Sequence, residues 1–167
     1  MATQPPRCAH SDDSGGDRRG DDALGPTFIE RAALLPRPNH APEVEWLTDF
    51  QLQVEHALDL ASRKRVLFVD ASVNCVAPFE VASLRSATQY QLTAHAMSPQ
   101  ALMQVYERLN GHAAPPCTRL AIRAWQFELG DAISDDAQAN LALALDWFTG
   151  WLSSPADTAS LVQPCTN

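Results

Sequence analysis

The chain has 167 residues, of which 46% are hydrophobic, and a formal net charge of −8. This length is typical of one domain with its own core, and the negative charge disfavours binding to the phosphate backbone of a nucleic acid. No apolar run reaches the roughly 18–20 residues that cross a bilayer, and the first thirty residues lack the apolar segment of a signal peptide. The composition therefore predicts a cytoplasmic protein that has neither a nucleic acid nor a membrane as partner.

The four cysteines, Cys8, Cys75, Cys117 and Cys165, form no CxxC pair or other ligand spacing. Isolated cysteines of a cytoplasmic chain are expected to be free thiols rather than disulfides. They do not predict a zinc site.

The N-terminal part of the chain changes character near residue 19. Residues 1–18 are polar and show no hydrophobic periodicity, which predicts an irregular or disordered opening. A helix is predicted over residues 26–35, where Pro26 suits the first helical turn. Asp21 and Asp22 stand just ahead of this helix, where negative charge meets the positive end of the helix dipole.

Three elements are predicted over residues 43–71. Residues 43–48 (EVEWLT) alternate as a short strand, and residues 52–62 have helical spacing. Residues 66–71 (VLFVDA) form an apolar run interrupted only by Asp70, which predicts a central strand buried on both faces.

The second half of the chain continues this alternation. Residues 79–84 predict an edge strand, and residues 99–109 predict a helix capped by Ser98. Residues 119–125 alternate as a strand, and residues 134–152 predict the longest helix, with Ser134 as its N-cap.

The order of elements predicts the fold class. Helices alternating with strands indicate an α/β fold, a three-layer αβα sandwich with helices on both faces of a twisted, mostly parallel sheet. We expect a single α/β domain over residues 19–152 and a loose C-terminal tail over residues 153–167.

Three side chains are candidates for chemistry, because ligand sites of open α/β sheets lie at the carboxyl ends of strands. Asp22 precedes the first helix, Asp70 closes the apolar strand, and His95 lies in the loop before the Ser98 helix. If they converge, their oxygen and nitrogen atoms could bind a divalent transition metal. Each also has a structural interpretation. Asp22 could be a helix-terminus charge, Asp70 could cap backbone amides, and a loop histidine is usually solvated.

Receiver domains of two-component signalling are one alternative, since they also combine an early acidic pair with an aspartate that ends a central strand. They require a lysine at the end of a later strand to hold the phosphoryl group. The only lysine here, Lys64, precedes the apolar strand, and the later strand carries Arg119 and Arg123 instead. The receiver interpretation therefore lacks its charge-neutralising group.

Five segments in one register carry a family resemblance: RGDDALGP (19–26), TDFQLQVEHALDL (48–60), VLFVDAS (66–72) followed by APF (77–79), TAHAMSPQALMQVYERLNG (93–111), and PPCTRLAIRAWQFELGDAISDDAQANLALAL (115–145). In this order they resemble the [NiFe] hydrogenase maturation proteases. The segment at 48–60 is similar to the subgroup that serves cytoplasmic, NAD-linked hydrogenases.

The resemblance implies a nickel-dependent, aspartic-type endopeptidase that removes the C-terminal extension of a hydrogenase large subunit after nickel insertion. Asp22, Asp70 and His95 match the family's metal-binding and catalytic residues. Nickel would serve as the recognition element and would arrive with the substrate. The expected fold is an αβα sandwich with about five strands, and the expected state is a monomer. The alternative is a non-catalytic maturation factor that binds the nickel-loaded large subunit.

The N-terminus departs from the family pattern. Relatives open with a hydrophobic strand that ends in a Gly-Asn turn, just before the acidic loop. Residues 1–18 contain no such strand, and Gly15 and Gly16 stand where Gly-Asn would fall. The sequence therefore predicts a sheet that lacks one central strand of the family.

Overall fold

The computed structural model describes residues 20–37, 43–49, 51–87, 97–128 and 131–154. Within these ranges the chain forms three α-helices, α1 (Leu24–Ala33), α2 (Pro99–Asn110) and α3 (Asp135–Ser153), and three strands, β1 (Val66–Ser72), β2 (Phe79–Leu84) and β3 (Cys117–Arg123). Two 3₁₀ helices cover Gly20–Ala23 and Val54–Leu60. None of the helices in this part of the chain is long and apolar enough to cross a membrane. The predicted opening at 1–18 and all but two residues of the predicted tail lie outside the described residues, so the domain limits stay a prediction.

The sheet has the order β1-β3-β2, with β1 parallel to β3 and β2 antiparallel to β3. The central strand of the described sheet is therefore β3, and β1 lies at its edge among the described residues, so the predicted central position of β1 stays a prediction. The strand that was expected to alternate instead buries three successive residues, Leu120, Ala121 and Ile122. We call the side on which β1 and β3 end the carboxyl edge of the sheet.

One face of the sheet packs against α1 and α3. The side chains of Leu67, Val69 and Ala71, which alternate along β1, contact this core together with Leu120 and Ile122 of β3. Its helical residues fall one turn apart on each helix, as expected for a stripe that faces a sheet: Leu24, Phe28 and Ala32 on α1, and Ala137, Leu141, Ala144, Leu145, Phe148 and Leu152 on α3.

The opposite face packs against α2 and the 3₁₀ helix at Val54–Leu60. Val66 and Phe68, the other alternating residues of β1, contact this second core, whose buried members are Ala57, Leu60, Leu102, Val105 and Tyr106. Helices therefore cover both faces of the sheet, and this explains the apolar run in β1. An apolar run of this kind indicates that helices cover both faces of the sheet. It does not indicate whether β1 has a neighbouring strand on each side.

Helix ends follow the predicted capping residues. The Ser98 hydroxyl accepts a hydrogen bond from the Ala101 N–H at 3.2 Å, and the Ser134 hydroxyl accepts one from the Ala137 N–H at 3.3 Å. Gly111 ends α2 with a φ of 71°, a left-handed conformation that glycine adopts without strain. The edge strand β2 has the predicted limits.

Four predicted elements differ from the structure, two of them only in their limits, since α1 and β3 each begin and end two residues earlier than predicted. Residues 43–49 form no strand, although Val44 and Trp46 still direct their side chains into the first core. A strand needs a hydrogen-bonding neighbour, and none pairs with this segment in the described ranges. The helix predicted over 52–62 is the shorter 3₁₀ helix at Val54–Leu60. The described residues form three strands, so a sheet of about five strands stays a prediction.

Candidate active site

The acidic loop begins with a 3₁₀ turn that is fixed to the segment following β3. The Gly20 N–H donates to the Asp131 carbonyl at 3.0 Å, and the Asp21 N–H donates to the Gln126 carbonyl at 2.6 Å. Gly20 has a φ of +53°, and a Cβ at this position would lie 2.6 Å from the Gln126 carbonyl oxygen. Glycine is therefore required here, both for its conformation and for the close approach of the two backbones.

Asp21 is buried and ties this turn to the same segment through its side chain. Its Oδ2 accepts hydrogen bonds from the N–H groups of Trp125 and Gln126 at 2.8 and 3.0 Å, and from the Ser134 hydroxyl at 3.1 Å. Its Oδ1 accepts the Ser134 N–H at 2.8 Å. Burial acts to raise the pKa of Asp21, but these four hydrogen bonds outweigh it and the pKa is lowered. Asp21 therefore stays ionised as a structural anchor and is not open to a substrate.

Asp22 differs from its neighbour because its side chain is exposed. It stands at the start of α1, which packs on β1. The buried Asp21 fixes the backbone of the turn, so the position of Asp22 is defined even though its carboxylate is free to meet a ligand.

Asp70 lies near the end of β1, and its pKa depends in part on the charge of Asp22. Burial raises the pKa of the Asp70 carboxyl, and the negative charge of Asp22 raises this pKa as well. The Ala71 N–H, which donates to the carboxylate, and the positive charge of Arg119 act in the opposite direction. The Asp70 side chain is nevertheless exposed, so its carboxylate is accessible while being partly desolvated. The structure thus places two of the three predicted site residues near the carboxyl edge, where the charge of Asp22 acts on Asp70.

His95 falls within 88–96, outside the described residues, so its distance from the two aspartates is not part of the fold described above. The residues that flank it are anchored on α2. The Ala87 N–H donates to the Gln100 carbonyl at 3.1 Å, and Gln104 donates from Nε2 to the Ala87 carbonyl at 2.8 Å. Within the described ranges, no group of three or more His, Cys, Asp and Glu side chains is arranged to hold a metal ion.

The loop after β3 forms an open cleft that the sequence did not predict. The cleft has a volume of about 610 Å³ and is lined by Trp125, Gln126, Phe127, Glu128 and Asp131. Two aromatic residues next to acidic residues, in a segment without helical or strand periodicity, were the available signal for it. A second missed feature is the double role of Ser134, which caps α3 and also binds Asp21. The sequence predicted only that Ser134 caps the helix.

Comparison with known proteins agrees with the family resemblance. The HycI [NiFe] hydrogenase maturation protease from Thermococcus kodakarensis KOD1 superposes with a TM-score of 0.55 at 16% identity, over 81% of this chain and 86% of that one. The hydrogenase maturating endopeptidase HybD from E. coli gives a TM-score of 0.57 at 20% identity, over 80% of this chain and 85% of that one. A hydrogenase 2 maturation peptidase from Thaumarchaeota archaeon SCGC_AB-539-E09 gives 0.53 at 16% identity, over 81% and 91%.

No family model and no curated protein matches the sequence. The resemblance to the maturation proteases is confirmed at the level of the fold, because solved structures of these proteases share it over most of their length. Identities of 16–20% do not carry an activity from those proteins to this chain.

Proposed function

We propose that this protein is an endopeptidase that removes the C-terminal extension of a [NiFe] hydrogenase large subunit after nickel has been inserted. The observation that carries the proposal is the pair of exposed carboxylates, Asp22 and Asp70, at the carboxyl edge of a fold shared with hydrogenase maturation proteases. The subgroup for cytoplasmic, NAD-linked hydrogenases is part of the proposal and is supported by residues 48–60 alone.

Each carboxylate has a distinct role in the proposed cleavage. Asp70 has a raised pKa, so it is a better proton acceptor than an ordinary aspartate and suits the general base that activates the attacking water. Asp22 is held on the 3₁₀ turn by Asp21, and its negative charge acts on Asp70. The Ala71 N–H and the positive charge of Arg119 limit the rise in the pKa of Asp70.

The donor set suits a divalent ion that the substrate brings. Two carboxylates that repel each other favour a bound cation, which neutralises their charge. His95 would add the nitrogen ligand that such an ion prefers. Nickel in the large subunit would polarise the scissile carbonyl or lower the pKa of a bound water. Because carboxylates and one imidazole form an incomplete set for nickel, the isolated protein should bind the free ion weakly, and cysteine sulfur of the substrate would complete the site.

A non-catalytic maturation factor is the second candidate. The outer edge of β1, next to Asp70, pairs with no strand among the described residues. Parallel pairing directs the backbone groups of Leu67, Val69 and Ala71 away from β3. The Val69 carbonyl faces Gly25 of α1, which leaves the groups of Leu67 for pairing with an extended partner segment. Such a protein would bind the large subunit without cutting it.

Mass spectrometry of the nickel-loaded precursor before and after incubation with this protein distinguishes the two functions. Loss of a C-terminal peptide with the wild-type protein, and no loss with the Asp22→Ala variant, would support the endopeptidase. An intact precursor that co-purifies with the wild-type protein would support the binding factor. The nickel-free precursor is the control, and its efficient cleavage would contradict the role of nickel.

A further inference from the structure

The end of β1, where Asp70 lies, is bonded to a neighbouring strand on one side only among the described residues. The ladder to β3 reaches Ser72, whose carbonyl accepts the Ala124 N–H at 3.0 Å. Beyond Ser72 the chain enters residues 73–78, which we call the turn after β1 and which lead to β2. Elements of a fold open most readily from their ends, and Asp70 stands two residues before this end. Contacts that hold the turn after β1 therefore also hold Asp70.

Arg123, the last residue of β3, binds this turn at three points. Its Nη1 donates to the carbonyl of Val73 and, at 3.2 Å, to the carbonyl of Cys75. Its backbone N–H donates to the carbonyl of Pro78 at 3.1 Å, just before β2 begins. Hydrogen bonds from a charged guanidinium are stronger than those between neutral groups. The side chain of Arg123 thus fastens the part of the turn that the ladder does not reach.

Arg123 is itself fixed on the side of the other candidate catalytic carboxylate. Its carbonyl accepts a hydrogen bond from Nδ2 of Asn140, a buried residue of α3, at 3.1 Å. Its guanidinium lies over the Trp125 ring, 5.2 Å from the ring centre. The Trp125 N–H donates in turn to Asp21 at 2.8 Å, and Asp22 is the next residue in the chain. One series of contacts therefore leads from the turn after β1, through Arg123 and Trp125, to the turn that carries Asp22.

The two candidate catalytic carboxylates need such a connection because they lie on separate elements and repel each other. Asp22 precedes α1, Asp70 belongs to β1, and the negative charge of Asp22 acts on Asp70. Repulsion favours any opening of the backbone that separates the two charges. A displacement of about 1 Å in a reacting group can lower the rate of a catalysed reaction about a hundredfold. Rigid attachment of both turns to one residue opposes this displacement.

We propose that Arg123 is a positioning residue for the cleavage, which ties the turn after β1 to the segment after β3 and thereby fixes Asp70 relative to Asp22. The inference rests on the proposed function, because it names a residue on which the geometry of that site depends. It gives Arg123 no contact with the substrate and no part in proton transfer.

Arg65 provides a matched control at the other end of the sheet, directly before β1. Its Nη2 donates to the Leu152 carbonyl at 2.8 Å, and its guanidinium lies 4.0 Å from the centre of the Trp151 ring. Arg65 and Arg123 thus make the same kinds of contact, with backbone carbonyls and with an indole ring. Replacing either one by Met keeps an unbranched side chain and removes the donors, so both variants should lower Tm by a similar few degrees.

Steady-state cleavage of the nickel-loaded precursor separates positioning from stability. Arg123→Met should lower kcat about tenfold or more and change KM less than about twofold, because it displaces a reacting group and leaves the binding of the substrate intact. Arg65→Met should change both constants less than about twofold. Arg123→Lys should recover part of the lost kcat, since an ammonium group can donate to the same carbonyls although it lacks the planar fork of the guanidinium.

Hydrogen exchange followed by mass spectrometry tests the same contact without a substrate. In Arg123→Met the amides of residues 73–78 should exchange about tenfold faster or more, as expected when hydrogen bonds to a charged group are lost. In Arg65→Met their exchange should equal that of the wild type.

The outcomes separate this inference from the proposed function. If the wild-type protein cleaves the precursor but Arg123→Met keeps its kcat, or raises KM alone, Arg123 is not a positioning residue while the endopeptidase stands. An equal loss of kcat in Arg65→Met, or no recovery in Arg123→Lys, also overturns the inference. If the wild-type protein cuts nothing, the endopeptidase fails, and the exchange rates of residues 73–78 then support or overturn the hold of Arg123 on the turn by themselves.

Discussion

The clearest consequence of the structure concerns Asp21, which should determine stability, whereas its neighbour Asp22 should not. Asp21 is buried and accepts four hydrogen bonds, three of them from backbone N–H groups that have no other acceptor among the described residues. Replacing it with Asn keeps the shape of the side chain and changes only its charge and one oxygen. Replacing it with Ala removes every acceptor.

The magnitudes follow from the hydrogen-bond pattern. In Asp21→Asn, the amide oxygen can take the place of Oδ2 and keep the bonds to Trp125, Gln126 and the Ser134 hydroxyl, but the amide NH₂ then faces the Ser134 N–H. At about 1 kcal/mol each, these two unsatisfied donors together cost about 2 kcal/mol. In Asp21→Ala all four donors lose their partner, and disruption of such a buried network costs about 4 kcal/mol. For a domain of this size these losses lower Tm by about 6 °C and about 12 °C.

Thermal unfolding followed by circular dichroism at pH 7 measures both values, with Asp22→Asn as the control. The Asp22 side chain is exposed, so this variant should unfold within about 1–2 °C of the wild type. The pH dependence of the stability provides a second test. Folding lowers the pKa of Asp21 from its usual value of 3.8, so its stabilising effect is present above pH 3.8 and is lost as the pH falls through the lower pKa of the folded protein. The gap between the wild type and Asp21→Asn should therefore narrow in acid. Equal Tm values for the Asn variants of Asp21 and Asp22 would refute the anchor.

Three further predictions concern the candidate catalytic residues. Asp22→Ala should abolish cleavage without loss of stability, and Asp21→Ala should retain more activity than Asp22→Ala. Both variants are assayed for cleavage below their Tm, and the opposite ranking would mean that the catalytic carboxylate is misassigned by one residue. Asp70→Asn should also abolish cleavage, but it should raise Tm slightly at pH 7. The fold raises the pKa of Asp70, so ionisation of this carboxyl destabilises the folded protein above pH 3.8. The gain in Tm should vanish below pH 3.8 in a pH series of melting curves, and its persistence there would contradict the electrostatic cause. His95→Ala should remove processing and change stability by a few tenths of a kcal/mol; cleavage at the wild-type rate would exclude it from the site.

Local features of the sequence predicted the ends of the elements well. Ser98 and Ser134 cap α2 and α3 as expected, because a hydroxyl at the N-cap acts within three residues of the chain. The apolar stripes of the helices likewise depend on spacing within one element. Asp21 and Asp22 also lie in the turn just ahead of α1, as their place in the sequence predicted.

Long-range features were beyond the sequence for a physical reason. The partners of Asp21 lie 104 to 113 residues away along the chain, and no local pattern encodes such a contact. The position of β1 at the edge of the described sheet could not be read from VLFVDA, since helices on both faces produce the same apolar run in a central and in an edge strand. Residues 43–49 show the converse case, in which an alternating pattern directs two side chains into the core without a neighbouring strand to pair with.

The contrast between Asp21 and Asp22 follows from the turn that carries both. In a 3₁₀ helix successive side chains point about 120° apart, so one carboxylate can face the interior while the next faces solvent. The inward one meets three backbone N–H groups, which satisfy its charge without a cation. The outward one acts through its negative charge on Asp70, and two carboxylates that repel each other favour a positive ligand. Because two of these N–H groups belong to Trp125 and Gln126, the anchor that orients Asp22 also orders the segment after β3. Loss of Asp21 should therefore lower the rate of cleavage by displacing Asp22, although the carboxylate of Asp21 is itself buried.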